Sequence, residues 1–300
     1  VICNPYATTV SARLRNLIVN ALKSRYRVEA VNTEERGHAT RLCEQGARDG
    51  FDLVIAFGGD GTVNEALNGL VGTQTPLTCL PGGSANVFCR SIGVPDDVVD
   101  ATEHLLSVAD DFQPVTIDTG VVNERHFVFA SGVGLDASVV ERVDSNPQLK
   151  ARLRHHYYAY CAISAFLRRY LLNAPLLSIE TEGRSGEGVT AVAQNSDPFT
   201  YFGKRPIRLC EHADLQSGSL AMLVLKRASV SALPTLIPRV LSTRPRWVTR
   251  HRQIQSFERV DTAKIRAADA SLPVQVDGDY IGSFADINYR IAPRSLWVVS

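Results

Sequence analysis

The sequence predicts an α/β N-terminal domain built on a parallel sheet, followed by a β-rich C-terminal domain. Two patterns carry that expectation. In the first third, short apolar runs end in glycine and open directly into helical periodicity, the alternation that yields a parallel sheet flanked by helices. After about residue 113, short strands recur with turn signals between them, and helical stretches become few. The expected domains are residues 1–112 and 113–300, with the last strand free to return to the first domain.

Val1 to Cys3 reads as the stub of a strand, and residues 9–25 carry a helical pattern through Val10, Leu14, Leu17, Ile18 and Leu22. A β-rich stretch at 27–31 and a polar helix at 37–49 follow. The apolar run from Asp52 to Phe57, closed by Gly58-Gly59, reads as a central parallel strand. Next come a helix from Thr62, a strand at Leu77–Leu80, and helices at 86–91 and 97–108. In the second domain, strands are expected at 113–121, 125–131, 175–182, 188–195, 219–225, 254–259, 262–268, 273–277 and 295–299. Helical stretches at 148–172 and 229–242 interrupt them.

Composition narrows the function classes. With 45% of 300 residues hydrophobic, there is ample material for buried cores. A net charge of +1 gives no global attraction to nucleic acid, so no nucleic-acid partner is expected. Six scattered cysteines lack CxxC or zinc spacing and read as reduced thiols. No apolar run approaches the roughly 20 residues that span a bilayer, and no signal peptide is visible. The expected location is cytoplasmic, peripheral to a membrane. The chain opens at Val1 within an expected strand, as a chain shortened at its N-terminus would.

The strongest local signal is Gly58-Gly59-Asp60-Gly61-Thr62-Val63-Asn64-Glu65, directly after a buried strand and opening a helix. Glycines allow the backbone to approach a ligand, and the helix start offers N–H groups and a positive dipole end to phosphate. An aspartate among such donors would repel phosphate unless a cation or proton lies between them. Asp60 is therefore a candidate magnesium partner or general base. The surrounding glycines have no evident packing purpose. Thr62-x-x-Glu65 also reads as a capping box, in which both side chains satisfy backbone donors. Pro81-Gly82-Gly83-Ser84-Ala85-Asn86 repeats the layout of strand, glycines and helix, with Ser84 or Asn86 as a plain N-cap the alternative. Two such loops after neighbouring strands would flank one crevice at the carboxyl ends of the sheet. A Walker A loop is absent, since Gly203-Lys204 is followed by Arg205. Gly132-Val-Gly134-Leu-Asp-Ala137 fits a dinucleotide fingerprint, but no acidic residue ends a second strand about 20 residues on, and that reading is rejected.

Asn4-Pro5, the Gly58–Glu65 element and the Pro81–Asn86 element together resemble the diacylglycerol and sphingosine kinase family, its soluble bacterial lipid kinases most of all. The resemblance continues, in order, through Ile117-Asp118-Thr119-Gly120, Gly132–Asp136 and Val276-Asp277-Gly278-Asp279. It implies the NAD kinase/diacylglycerol kinase-like fold, with a C-terminal β-sandwich and a nucleotide bound in a cleft. It implies ATP as phosphoryl donor, Mg2+, and a lipid substrate at a membrane surface, and it allows a homodimer. By that resemblance Asn4, Gly58, Gly59, Asp60, Gly61, Thr62, Glu65, Gly82, Gly83, Ser84 and Asn86 line the ATP site. Asp60 would act as general base or metal-linked carboxylate, Asp118 would join the magnesium network, and Asp279 would be a second catalytic carboxylate. Turn and hairpin chemistry are the alternatives for Asp118 and Asp279.

The chain departs from the family pattern at three places. Asp279 stands where the family usually has Glu. Val87 follows Asn86 where a second carboxylate is common. Ser217-Gly218 replaces an Asp-Gly that binds a structural cation in bacterial members, which leaves Asp214 as a partial substitute ligand. Two segments pair basic residues with aromatics and contain no acid, which fits contact with anionic lipid, the alternatives being a buried helix with a solvated face and an ordinary basic loop. One is 148–172; the other is 239–252, with Arg239, Arg244, Arg246, Trp247, Arg250 and Arg252. The expected reaction is phosphorylation of diacylglycerol. A sphingoid-base or ceramide kinase, an NAD kinase and a non-catalytic nucleotide- or lipid-binding protein are the alternatives.

Overall fold

A computed structural model describes residues 1–7, 11–108, 110–145, 157, 160, 161, 164, 174–268 and 271–300. The chain divides into two compact units, Val1–Ile117 with Arg294–Ser300, and Asp118–Pro293.

The first unit is the expected α/β layer. Its elements are β1 (Ile2–Cys3), α1 (Ala12–Lys23), β2 (Val31–Asn32), α2 (His38–Arg48), β3 (Val54–Gly58), α3 (Asp60–Leu70), β4 (Leu77–Pro81), α4 (Val87–Ser91) and α5 (Val98–Val108). The strands run parallel in the order β2-β1-β3-β4. All five residues of β3 and of β4 are buried, as central parallel strands covered on both faces require. Beyond β4 lies the end of the chain, where Val298 pairs parallel with Leu77. The stretch 27–31, expected as a strand, supplies only Val31–Asn32, because β2 is an edge whose partner β1 offers two residues to pair with. Ser11 caps α1 by accepting from the Leu14 N–H at 3.2 Å.

The second unit begins within β5 (Val115–Val122) and continues through β6 (Arg125–Phe127), β7 (Ala130–Gly134) and α6 (Leu135–Asp144). Then follow β8 (Leu177–Thr181), β9 (Arg184–Gly188), β10 (Thr190–Gln194), β11 (Thr200–Phe202), β12 (Arg205–Ile207) and β13 (Leu220–Leu225). After a 3-10 turn at Val230–Ala232 come α7 (Leu233–Val240), α8 (Pro245–Thr249), β14 (Ile254–Val260), β15 (Thr262–Ala267), β16 (Leu272–Val276), β17 (Asp279–Phe284) and β18 (Asp286–Val298). One antiparallel sheet has the order β14-β13-β10-β7-β16-β17. A second set pairs β9, β8, β15 and the first part of β18. Val133, Ala191, Met222, Phe257 and Val274 from the first sheet meet Ile179, Ile265 and Ile287 from the second in one core, which makes the unit a sandwich.

Several expectations change. The run 125–131 splits into β6 and β7, and the run 229–242 is the 3-10 turn plus α7. The helices α6 and α8 and the strands β9, β11, β12 and β17 were not foreseen, each being short and dependent on a tertiary neighbour. The helical stretch expected at 148–172 falls almost wholly outside the described residues. Among the described residues no helix is long and apolar enough to cross a membrane.

Candidate active site

In the order β2-β1-β3-β4 the chain runs outward from β1 in one direction and from β3 in the other, so the sheet reverses its winding between β1 and β3. Such a reversal leaves a crevice outside the carboxyl ends of the strands. Asn4 follows β1, and the first glycine loop follows β3. Asn4 is fixed by its N–H donating to the Phe57 carbonyl at 2.9 Å, while its side-chain amide donates to Thr62 Oγ1 at 3.0 Å. Its Oδ1 accepts from the Tyr6 N–H at 2.9 Å. The two loops are thereby tied through one asparagine.

The glycines have a packing purpose after all, contrary to expectation. A Cβ on Gly58 would lie 2.5 Å from Thr62 Oγ1, because the threonine folds back over it. A Cβ on Gly83 would lie 2.7 Å from the Gly59 Cα, and one on Gly82 would lie 3.1 Å from the Gly58 Cα. The second loop therefore rests on the first, backbone on backbone, and only glycine permits that approach. The Gly82 N–H donates to the Gly58 carbonyl at 2.9 Å and continues the β3–β4 pairing into the loops.

The helix α3 starts at Asp60, two residues before the expected Thr62, with Gly59 as N-cap and no capping side chain. No side chain caps its first turn, where the positive end of the helix dipole lies. Asp60 is half-buried there, and its Oδ1 accepts from the Phe88 N–H at 3.2 Å. That contact caps α4 from outside, because α4 has no side-chain cap of its own. Asn86, expected as a plain N-cap alternative, is the N-cap of α4, in the left-handed region at φ 47°, but its side chain makes no capping hydrogen bond to the helix. Its Oδ1 accepts from the Gly83 N–H at 2.8 Å, and its amide donates to the Gly83 carbonyl and to Asp96 Oδ1, both at 3.1 Å. Asp96 also pairs with Arg90, so a carboxylate overlooked in the sequence anchors the asparagine. Ser84 is exposed at the tip of the loop, and Val87 is buried.

The expected capping box does not form. Glu65 reaches a neighbouring helix, where its two oxygens accept from the Gly37 N–H at 2.8 Å and the Ala39 N–H at 3.2 Å. These are the first donors of α2, whose N-cap is Gly37 and has no capping side chain. Glu65 therefore holds α2 against α3, which accounts for a carboxylate at this position without a ligand.

The carboxylates of the second unit stand in three settings. Asp118 is buried; its Oδ2 accepts from the Gly218 N–H at 2.7 Å, and its own N–H donates to the Leu215 carbonyl at 2.7 Å. It clamps the loop 215–218 that leads into β13. Asp214, exposed in that loop, accepts from the Gln216 N–H at 2.9 Å in an Asx turn. Hydrogen bonds thus close the loop where the resemblance implied a cation. Asp279 is the first residue of β17 and pairs with Val276 across a two-residue turn. That turn is Asp277-Gly278, with φ of 47° and 80°, so hairpin chemistry is realised. Asp277, not foreseen, has its carboxylate in the path of a neighbouring backbone and accepts from the N–H groups of Val128, Phe129 and Ala130 at 2.8, 2.9 and 3.1 Å. Behind it, Gln275 accepts from the Gly278 N–H at 2.9 Å and donates to Asp136 Oδ2 at 2.7 Å. Burial pushes the Asp136 carboxyl above its usual range, with the Gln275 hydrogen bond opposing.

Among the described residues, no group of three or more His, Cys, Asp or Glu side chains is placed to hold a metal ion. A magnesium ion carried by nucleotide phosphates needs only one or two carboxylates, the remaining positions being water and phosphate oxygen. Asp60, in the uncapped first turn of α3, fits that lighter demand; Asp118 and Asp214 also hold their loop by hydrogen bonds.

Residues 1–117 match the family described as the diacylglycerol kinase catalytic domain, and residues 130–300 match the YegS C-terminal NAD kinase beta sandwich-like domain. A diacylglycerol kinase of Staphylococcus haemolyticus is 25% identical over 273 residues, covering 90% of this chain and 77% of the relative. One from Staphylococcus aureus is 26% identical over 273 residues, covering 90% and 81%. A crystal structure of a diacylglycerol kinase from Bacillus anthracis is similar in fold, with a TM-score of 0.69 at 20% identity over 99% of this chain and 94% of that one. Yeast NADH kinase, solved with NADH, shares the fold more distantly, at a TM-score of 0.53 and 11% identity over 100% and 82% of the two chains. With both family matches in chain order, and the two glycine loops at the crevice of the first unit, the chain belongs to the diacylglycerol kinase family and is a lipid kinase.

Proposed function

We propose that the chain transfers the γ-phosphoryl group of ATP, in a magnesium-dependent reaction, to the free hydroxyl of diacylglycerol, giving phosphatidic acid. The observation that carries this reading is the pair of interlocked glycine loops with Asp60 at the uncapped start of α3. Backbone donors from the two loops would cradle the phosphates. Asn4 and Thr62 fix the first loop, and Asn86 with Asp96 fixes the second, so these side chains act by positioning. Phosphoryl transfer asks a protein for positioning and charge neutralisation more than for covalent chemistry. Magnesium on the triphosphate, held through Asp60, would supply that neutralisation. Asp60 would also orient the acceptor hydroxyl and take its proton, and Asp279 is proposed as a second carboxylate in the reaction. The names of the staphylococcal relatives support diacylglycerol as the acceptor.

The test is transfer of labelled phosphate from ATP, with magnesium, to a panel of diacylglycerol, a sphingoid base, ceramide and NAD. Labelled phosphatidic acid is the expected product. Label on a sphingoid base or ceramide would replace the acceptor, label on NAD would move the chain to the chemistry of its more distant structural neighbour, and no label from folded, ATP-binding protein would contradict catalysis.

A further inference from the structure

The segment from Lys226 to Gln253 holds Lys226, Arg227, Arg239, Arg244, Arg246, Arg250 and Arg252 and not one Asp or Glu. It forms the 3-10 turn, α7 and α8, which pack on one another. One side of this pair is spoken for. Leu236, Val240 and Val248 join Val189, Val192, Leu223 and Leu225 in a core on the outer face of the six-stranded sheet. Thr235 and His251, 3.0 Å apart, tie α7 to the residues after α8. Other large apolar side chains of the segment are left exposed. Ile237 is 50% exposed, Leu241 38%, Trp247 51% and Val230 48%, while α7 has no buried residue. Ile237 and the C-cap residue Leu241 stand four residues, about one turn, apart.

The Arg244 guanidinium lies 5.6 Å from the centre of the Trp247 ring, and Arg239, Arg250 and Arg252 lie in the same segment. Arg246 is paired with Glu211 at 2.8 Å, which leaves the rest of the segment strongly cationic. A helix with an inward apolar face needs no second apolar face for its own stability. Four exposed apolar side chains beside a cationic segment suit a phase boundary, where the apolar groups enter the acyl region and the arginines meet headgroup phosphates.

We propose that the outer face of the Val230–Arg252 segment is the surface by which the second unit docks on an anionic lipid bilayer. Its purpose, delivery of the enzyme to an acyl-chain substrate, rests on the lipid-kinase reading. Charge complementarity selects the occupant: a protein groove would not need so many cations around its apolar contacts, only one of them, Arg246, facing a carboxylate among the described residues, whereas an anionic bilayer supplies negative charge across the whole face.

The test is co-sedimentation of the whole chain with phosphatidylcholine vesicles and with phosphatidylcholine–phosphatidylglycerol vesicles. Wild type is compared with Ile237→Ser/Trp247→Ser and with Arg244→Glu/Arg250→Glu. These positions are exposed, and circular dichroism checks that both variants fold. Binding only to the anionic vesicles is expected, weakened on the order of tenfold or more by either variant. Phosphorylation of a short-chain diacylglycerol offered as monomer should be unchanged, while phosphorylation of long-chain diacylglycerol in vesicles falls. Variants that bind as wild type does would overturn the proposal. So would equal binding to the two vesicle types, no binding at all, or a wild-type dimer that Ile237→Ser/Trp247→Ser dissociates. If anionic binding follows the expected pattern and no lipid is phosphorylated, docking stands and the substrate assignment falls.

Discussion

At Gly83 the two loops of the first unit's crevice meet backbone against backbone. A methyl group there would sit 2.7 Å from the Gly59 backbone, which has no side chain to swing aside. Gly83→Ala should therefore push the loops apart, costing about 1–3 kcal/mol of stability by overpacking. ATP affinity should fall as well, which isothermal calorimetry would read. Glu65 makes the opposite prediction. Glu65→Ala removes both acceptors from the start of α2 and should cost about 1–2 kcal/mol, the worth of a lost cap, while KM for ATP stays within about twofold. A large rise in KM without loss of stability would return Glu65 to the nucleotide site. The placement of Asp60 was legible in the sequence because a strand, two glycines and a helix start are neighbours in the chain. The duties of Glu65 and Asp277 were not, since their partners lie 26–28 and 147–149 residues away and nothing local announces them.

At the scale of elements, α2 and α3 cross closely enough that a Cβ on Gly69 would lie 2.3 Å from the Thr40 carbonyl oxygen. Gly46, in the interior of α2, is the contrast: a Cβ there would meet Phe51 and Val54 at 3.8 Å, ordinary contact. Gly46→Ala should stabilise the protein by about 0.5–1 kcal/mol by restricting the unfolded chain. Gly69→Ala should destabilise it, and urea unfolding of the two variants side by side would separate a helix-propensity effect from a packing one. Periodicity located α1, α2 and α5 to within a few residues, because each has an apolar stripe that the chain itself displays. It did not find β17. The strand is half-buried along its length and alternates weakly, and it exists because the Asp277-Gly278 turn returns the chain to pair with β16.

At the scale of the whole molecule, the parallel and antiparallel character of the two units follows from how strands and helices alternate, but strand order does not. That β1 lies between β2 and β3 is set by pairing across distant segments, and the crevice depends on it. Burial, with Arg290 and Arg125 nearby, holds His126 down to about 4, against an ordinary value of 6.5. The unfolded chain therefore binds more protons than the native one between those values, so this histidine's contribution to stability is present above pH 6.5 and is lost as pH falls toward 4. The melting temperature should drop through that window, and His126→Gln should flatten the drop. All six cysteines are buried, and burial raises the Cys43 thiol to about 12, so native protein should resist thiol reagents until it unfolds. Asp60 within the interlocked glycine loops is proposed to drive phosphoryl transfer to a lipid hydroxyl. The most direct test of that claim is the rate of labelled phosphatidic acid formation by wild type and by Asp60→Asn, whose amide oxygen can still accept from the Phe88 N–H and keep the fold. The expected result is active wild type and a variant slower by roughly 10²–10⁴ with an unchanged melting temperature. A variant as active as wild type would contradict the claim.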